Sequence, residues 1–408
     1  MPQLSGSKAM KIETMRKIDY AAGIPLSFLF SIINLIVPKR KSLGAKPKKI
    51  LFIELSEMGS AVLVDPALQL AQKKFGADLH FVIFKRNKIS LDILKTIPES
   101  NIFVIRDNSL LSIVIDAIRF MFWCEQKQID ATIDLELFSR ATALLGFLTR
   151  CSVKAGFHNF HGEGLYRGHF LTHEVSYNPH IHIAKNFIAL VEALYTEPTL
   201  PLLKQSIGDA DIKIKQAVVG IQDKVRVRQV VKKLYPNLTD EQKIILINPN
   251  ASEFLPQRKW PLADYIELIR LVILKNPDYL VLLTGSPAER AEIDTVVTAV
   301  SSPRCINFAG EIPFLDLIPL YSISKVLVTN DSGPGHFSSV TGIKSFVFFG
   351  PETPLLYGSL GNSTPIYAHF ACSPCVSAYN HRKTPCVDNK CLQVIRPESV
   401  YKIIEASL

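Results

Sequence analysis

The chain has 408 residues, too many for one ordinary hydrophobic core and enough for two domains. Of its formal net charge of +9, +8 lies in the first 49 residues, where ten Lys/Arg stand against two acids, Glu13 and Asp19. The rest of the chain is nearly neutral, so the basic balance does not describe a nucleic-acid-binding core.

The ten cations fall in two groups, Lys8, Lys11, Arg16 and Lys17, then Lys39, Arg40, Lys41, Lys46, Lys48 and Lys49. Between them residues 21–37 carry no charge and include Phe28, Leu29, Phe30, Ile32, Ile33, Leu35 and Ile36. Seventeen residues fall short of the roughly 20 that a spanning helix needs. Gly23 and Pro25 interrupt the start of the run, and positive charge on both flanks opposes carrying either side across. The pattern fits a helix lying in the cytoplasmic leaflet against anionic lipid, and makes residues 1–48 a membrane-associating segment. A secretory signal fits less well, since the polar lead is long and no small-x-small cleavage site follows. The other reading is a hydrophobic helix packed on the protein itself.

Residues 50–53, Ile-Leu-Phe-Ile, predict a buried strand, and Glu-Leu-Ser-Glu-Met-Gly59-Ser60 follows. That exit is not a Gly-x-Gly-x-x-Gly turn, and the chain contains no Walker A sequence. Ile133-Asp134-Leu135-Glu136 predicts another strand exit. Residues 157–182 hold six of the ten histidines (His158, His161, His169, His173, His180 and His182) together with Tyr166, Arg167 and Tyr177. Their spacing matches no metal motif; they form either a polar loop or a surface able to grip phosphate or sugar. Residues 205–242 are charged and predict a largely helical connector.

The second half repeats one scheme three times. Residues 244–252, Ile-Ile-Leu-Ile-Asn-Pro-Asn250-Ala251-Ser252, run from a buried strand into a polar turn. Arg258-Lys259-Trp260-Pro261 follows, then an amphipathic stretch over 262–274. Residues 280–289 end in Thr284-Gly285-Ser286-Pro-Ala-Glu289. Residues 325–336, Lys-Val-Leu-Val-Thr-Asn-Asp331-Ser332-Gly333-Pro-Gly-His336, are the most informative stretch. Open α/β sheets bind ligands at such strand ends, where helix-start amides favour anions. Arg and Lys there can neutralise a diphosphate, while Asp331 and Glu289 can accept ribose or sugar hydroxyls.

Cys124, Cys151 and Cys305 sit in apolar surroundings and read as core. The other four, Cys372, Cys375, Cys386 and Cys391, fall within twenty residues at spacings x2, x10 and x4. They can build a structural zinc site that folds a loop poor in apolar residues, or remain free thiols in a reducing compartment.

Over residues 49–403 the order of these pieces resembles glycosyltransferase family 9, the ADP-heptose:lipopolysaccharide heptosyltransferases. The matching elements are Gly59-Ser60 with Pro66-Ala67-Leu68, then Arg258-Lys259-Trp260-Pro261, Thr284-Gly285 with Glu289, the 330–336 signature, and Phe349-Gly350-Pro351. The resemblance implies a GT-B architecture, two Rossmann-like α/β domains facing across a cleft. Residues 49–204 would be the acceptor domain, 205–242 the connector, and 243–408 the nucleotide-sugar domain with its Cys-rich loop 372–391. It implies a donor site of Asn250, Ala251, Ser252, Arg258, Thr284, Gly285, Glu289, Asp331, Ser332, Gly333 and His336, with Arg258 stabilising the leaving diphosphate. Ile312 falls where the family packs an apolar side chain on the base, although core is its plainer role. An inverting, cofactor-independent transfer to a lipid-linked glycan at the cytoplasmic face of the inner membrane follows.

One departure touches the chemistry. The family's general base is an Asp directly after the first-loop glycine, and here that position is Ser60. A serine hydroxyl cannot take a proton at neutral pH without a base of its own. Glu57 is the nearest carboxylate and the expected replacement; Asp65, Asp134 and Glu136 are the other candidates. Ser60 also leaves room for a non-catalytic nucleotide-sugar-binding protein or scaffold.

Overall fold

The computed structural model describes residues 10, 12–36, 46–55, 58–158, 165–196, 204–251 and 255–408. The chain divides into two compact units, Met1–Ile212 and Lys213–Leu408.

In the first unit, strands β1 (Lys49–Ile53), β2 (Asp78–Phe84), β3 (Ile102–Ile105), β4 (Ala131–Asp134), β5 (Val153–His158) and β6 (His173–Ser176) form one sheet. Its order is β3-β2-β1-β4-β5-β6, and every pairing is parallel. Parallel strands are covered on both faces, which is why β1 reads as an unbroken apolar run with Ile50, Leu51, Phe52 and Ile53 all fully buried. The helices are α1 (Ile12–Ala21), α2 (Gly23–Ile36), α3 (Met58–Leu63), α4 (Asp65–Phe75), α5 (Ile89–Leu94), α6 (Leu110–Lys127), α7 (Arg140–Leu148) and α8 (Ile183–Ala193). α4 opens on Asp65-Pro66 and closes at Gly76, whose φ of 62° lets its amide return to the carbonyls of Ala71 and Gln72.

The N-terminal helices belong to this unit. Asp19 of α1 accepts from the backbone amides of Arg140 and Ala141 at 2.8 and 3.0 Å and pairs with the Arg140 guanidinium at 3.0 Å. Anionic charge at the first turn of α7 is favourable both as a cap and against the helix dipole. Gly23 then lets α2 approach so closely that a Cβ there would lie 2.9 Å from the side chain of Arg140. Phe30 stacks on Phe147 of α7 with centroids 5.1 Å apart.

The second unit repeats the plan with β7 (Lys243–Asn248), β8 (Tyr279–Leu283), β9 (Cys305–Asn307), β10 (Val326–Asn330), β11 (Lys344–Phe349) and β12 (Ser363–Tyr367). These strands are also all parallel, in the order β12-β11-β10-β7-β8-β9. Its helices are α9 (Ile221–Leu234), α10 (Leu262–Lys275), α11 (Arg290–Val300), α12 (Leu317–Ser322), α13 (Gly333–Ser338), α14 (Pro354–Tyr357), α15 (Lys390–Gln393) and α16 (Pro397–Glu405). The boundary between units falls inside the segment 205–242, and α9 from that segment packs in the second unit through fully buried Val227 and Val231. In each sheet the chain reverses direction beside its first strand, at β1/β4 and β7/β10. Such switch points open a crevice at the carboxyl ends of the strands.

Replacing Asp19 with Ala strips the buried Arg140 of its counter-ion and α7 of its cap. We expect a loss of about 3 kcal/mol in urea unfolding and faster protease cleavage within residues 10–36. Unchanged stability and cleavage would show that α1 is not anchored through this pair.

Candidate functional site

The β7/β10 switch point of the second unit gathers most of the polar residues expected to bind donor. Its frame is Asn330, the last residue of β10, which is completely buried. The Asn330 amide donates to the carbonyls of Pro249 and Asn250 at 2.9 and 3.1 Å. Its carbonyl oxygen accepts from the Trp260 amide at 2.9 Å and the Tyr265 hydroxyl at 3.1 Å. Trp260, also fully buried, stacks on Phe348 at 4.4 Å and donates from its ring nitrogen to the Ile395 carbonyl. The loop carrying Arg258 is therefore locked onto the ends of β7 and β10.

Within that frame lies a buried charge cluster. Arg258 has its Nε 3.4 Å from the Asp331 carboxylate, and its Nη2 contacts the carboxylate of Glu352. The other oxygen of Glu352 takes Arg382, whose Nη2 lies at 2.9 Å and Nε at 3.0 Å. His336 stands 4.0 Å from Asp331. Glu352 and Arg382 were not among the residues expected from sequence. Glu352 lies just past the Phe349-Gly350-Pro351 exit of β11, and its carboxyl group in a strand-end turn was the available signal. Arg382 comes from the cysteine loop, 31 residues after the Phe349-Gly350-Pro351 element, and nothing local distinguishes it.

Asn250 is 4% exposed, and neither its amide nitrogen nor its oxygen has a hydrogen-bond partner among the described residues. A buried amide left unpaired costs about 1–3 kcal/mol, so a folded protein keeps one chiefly where a ligand completes it. It rests against Gly285, where a Cβ would lie 3.1 Å from the Asn250 nitrogen and 2.6 Å from Ile293. Thr284, beside it, accepts from Asn248 at 3.0 Å through its carbonyl. Ala251 follows on the same turn, while Ser252 lies outside the described residues.

Other expected residues have structural duties in view. Glu289 accepts from the Ser286 amide at 2.6 Å, so one of its oxygens caps the turn 287–289. Ser332 turns its hydroxyl back to the Asn330 carbonyl at 3.1 Å, and Gly333 opens α13. Lys259 pairs with Glu292 at 2.5 Å on the exposed side of the loop. Ile312 is half-buried beside the left-handed Gly310.

In the first unit, Glu57 lies outside the described residues, and Ser60 sits in α3. The alternative carboxylates are committed. Asp65 is fully buried and accepts from Gln69 at 2.7 Å and Thr96 at 2.6 Å. Asp134 pairs with buried Arg167 at 2.8 Å and accepts from Thr142 and the Glu136 amide. Burial pushes the Asp134 carboxyl group up from its ordinary range, opposed by the Arg167 charge. Glu136 accepts from the Leu55 amide at 3.0 Å and so ties the exits of β1 and β4 together. Arg167 and Tyr177 are both buried and do not contribute to a surface with the histidines around them.

The four clustered cysteines are free thiols, ranging from exposed Cys372 to buried Cys391. Burial, then the three neighbouring thiols, push Cys391 up to about 11. The thiol of Cys386 donates to the Asp388 carbonyl at 3.1 Å, and that of Cys375 lies 3.4 Å from the Thr384 hydroxyl. Among the described residues no group of three or more His, Cys, Asp or Glu is arranged to hold a metal ion.

The description Glycosyltransferase family 9 (heptosyltransferase) matches residues 124–384. Lipopolysaccharide heptosyltransferase 2 of Salmonella typhimurium is 32% identical over 121 residues, covering 29% of this chain and 34% of the relative. Against the type 2 heptosyltransferases of Salmonella, Escherichia coli and Campylobacter jejuni, the chain spans only about a third to a half of the relative's length. The lipopolysaccharide core heptosyltransferase OpsX of Haemophilus influenzae is 21% identical over 329 residues, 79% of this chain and 85% of that protein. The solved structure of E. coli ADP-heptose lps heptosyltransferase II superposes with a TM-score of 0.66 at 19% identity, over 88% of this chain and 98% of that one. The two parallel-sheet units thus share the fold of that enzyme.

Converting Glu352 to Gln leaves two half-buried guanidinium groups short of a counter-ion, and should cost about 3 kcal/mol in chemical unfolding. Converting Asn250 to Leu removes an unpaired buried amide and should leave the stability of the unliganded protein unchanged or raise it. A large loss at Asn250 would mean that the amide is structurally satisfied.

Proposed function

This chain belongs to glycosyltransferase family 9, and from that premise we propose that it transfers a heptose-type sugar from a nucleotide diphosphate, ADP favoured, to a lipid-linked envelope glycan such as lipopolysaccharide core. The observation that carries the reading is the cluster at the β7/β10 switch point, where Arg258 lies between Asp331 and Glu352, together with the buried Asn250 amide, which has no hydrogen-bond partner among the described residues. The names of the matched relatives support the sugar and acceptor.

In this mechanism the acceptor hydroxyl attacks the anomeric carbon, forming the new glycosidic bond from the opposite face. The bond from that carbon to the diphosphate oxygen breaks, and the nucleoside diphosphate leaves with the electron pair. Negative charge grows on the leaving phosphate, and a guanidinium already fixed in place stabilises it without reorganisation. Arg258 fills that role. Asp331, Thr284, Gly285, Glu289, Ser332, Gly333 and His336 hold sugar, ribose and phosphates around it. The hydroxyl proton goes to a carboxylate. Asp65, Asp134 and Glu136 are occupied by Thr96, Arg167 and the Leu55 amide, which supports Glu57 as the base in place of the missing Asp. The chemistry needs no catalytic cofactor, because cationic side chains do the work of a metal at the diphosphate. The acceptor's lipid places the reaction at an anionic membrane surface, the cytoplasmic face of the inner membrane.

The second reading, a nucleotide-sugar-binding protein or scaffold without turnover, is favoured by Ser60 alone. Mixing the purified protein with ADP-heptose and heptose-deficient lipopolysaccharide core separates the two: donor consumption dependent on acceptor supports transfer, and binding without consumption supports the second. Glu57→Gln should cut turnover by at least about 100-fold with donor affinity unchanged; full turnover would dispose of that assignment. Asn250→Leu should weaken donor binding by about tenfold. A structural zinc on Cys372, Cys375, Cys386 and Cys391 rests on their spacing and requires the thiols to close on the ion. Metal analysis of protein prepared without added zinc should find one equivalent; a folded, zinc-free product would refute it.

A further inference from the structure

Helix α2 is built inside out. The side that faces the protein carries Gly23, Ser27, Ser31 and Asn34, at helical spacing. Ser27 is fully buried, Ser31 accepts from the His169 amide at 2.8 Å, and Asn34 donates to the His169 carbonyl at 3.1 Å. The opposite side carries Leu26, Phe28, Leu29, Ile32, Leu35 and Ile36, which are 37–86% exposed. A helix that only packed on its own domain would turn these the other way.

Helix α6 is apolar on both sides, with Phe120 and Cys124 buried in the core of the first unit. Its buried face includes Asp116, held by Arg106 at 2.7 Å, while Leu110, Leu111, Val114, Ile115, Ile118 and Phe122 are 42–70% exposed. Both α2 and α6 pack against α7, so the two rows lie on the same side of the first unit. Together with Tyr20 they supply thirteen of the twenty-five large apolar side chains exposed among the described residues, a concentration that scattered surface apolars do not produce.

We propose that α2 and α6 form one docking face that lies in the surface of an anionic phospholipid bilayer, with α6 a second inserted element beside α2. This inference rests on the membrane reading given above and names the surface that performs it. Charge selects the occupant. Basic residues stand on both sides of α2 in sequence, and Arg119, 67% exposed on its side chain, lies within the α6 row. Cations bordering exposed aliphatic and aromatic side chains match an anionic interface. A second copy of the chain would bring the same positive charge against itself, which opposes pairing through this face. Geometry favours lying over spanning. Among the described residues no single helix is long and apolar enough to cross a membrane; α1 and α2 reach that length only as a pair bent by 44°, and α2 with 14 residues extends only about 21 Å.

The test uses the full chain and vesicles of phosphatidylglycerol with phosphatidylethanolamine, with phosphatidylcholine vesicles for comparison. Wild type should co-sediment with the anionic vesicles and be released by high salt. The double variant Ile118→Asn, Phe122→Asn should lose at least about tenfold in partitioning, as should Leu35→Asn, Ile36→Asn. Unchanged melting and unchanged ADP-heptose binding by calorimetry would show that both variants keep their fold and donor site, and so separate this inference from the transferase reading. If the α6 variant binds vesicles like wild type while the α2 variant does not, α6 is no part of the face and the proposal fails. It also fails if wild type is a dimer in lipid-free solution that the α6 variant converts to monomer, since the face would then be a self-interface.

Discussion

The side chain of Asn330 uses every hydrogen bond available to a carboxamide, two as donor and two as acceptor, inside a fully buried setting. That saturation is the constraint on which the donor-side site depends. One pair of bonds ties the end of β10 to the turn after β7; the other ties it to the loop that carries Arg258 and to α10. Aspartate could not substitute, because it lacks the two N–H donors that the Pro249 and Asn250 carbonyls require. Leucine would fill the volume and leave two carbonyls, an amide and a hydroxyl unpaired in the core, each at a cost of about 1–3 kcal/mol. Because the frame is polar and fully satisfied, it fixes a single geometry rather than a merely compact one.

What hangs on this frame is balanced charge. Two guanidinium groups and two carboxylates, Arg258, Arg382, Asp331 and Glu352, meet with their charges formally cancelled. A ligand phosphate arriving here competes with Asp331 for Arg258, whereas Glu352 is shared by two cations and is the harder partner to displace. Asp331 is therefore the group that can exchange a guanidinium contact for a sugar or ribose hydroxyl. Glu352 keeps both arginines extended in the absence of ligand, so their ordering is completed during folding and not charged against binding. The cost is a buried ion network whose stability contribution is small even when intact.

Much of this was legible along the chain wherever neighbours in sequence do the work. The strand runs at 50–53, 244–247, 280–283 and 326–328 are strands β1, β7, β8 and β10, because burial on both faces writes a continuous apolar run. The amphipathic stretch 262–274 is α10, and the strand exits carry the small polar residues that a crevice needs. The contacts that escaped are those made across the fold. Arg382 meets Glu352 across thirty residues and Asn330 meets Pro249 across 81. No periodicity encodes such pairings; they follow from sheet order, which places β10 between β7 and β11. Asp134 and Arg167 show the opposite failure. Each reads in sequence as a group able to meet an acceptor, but buried together they satisfy one another.

The N-terminal helices carry a similar lesson about sequence and context. A run of seventeen uncharged residues offers two readings, membrane or core, and hydrophobicity alone cannot choose between them. The small and polar residues inside the run decide how it is used. Gly23, Ser27, Ser31 and Asn34 recur along one side of α2 and form the seam against α7 and the 166–170 segment, because a Gly and short hydroxyl-bearing side chains permit close approach and hydrogen bonds to backbone. Using the polar stripe as the adhesive leaves the larger apolar side chains pointing outward. The domain gains an anchored helix without hiding its hydrophobic surface, and the Asp19–Arg140 pair holds that surface at a fixed place beside α6. A free tail would have to pay the ordering entropy on meeting lipid. A docked helix has paid it on folding, so the apolar area it presents is available to a bilayer at little further cost.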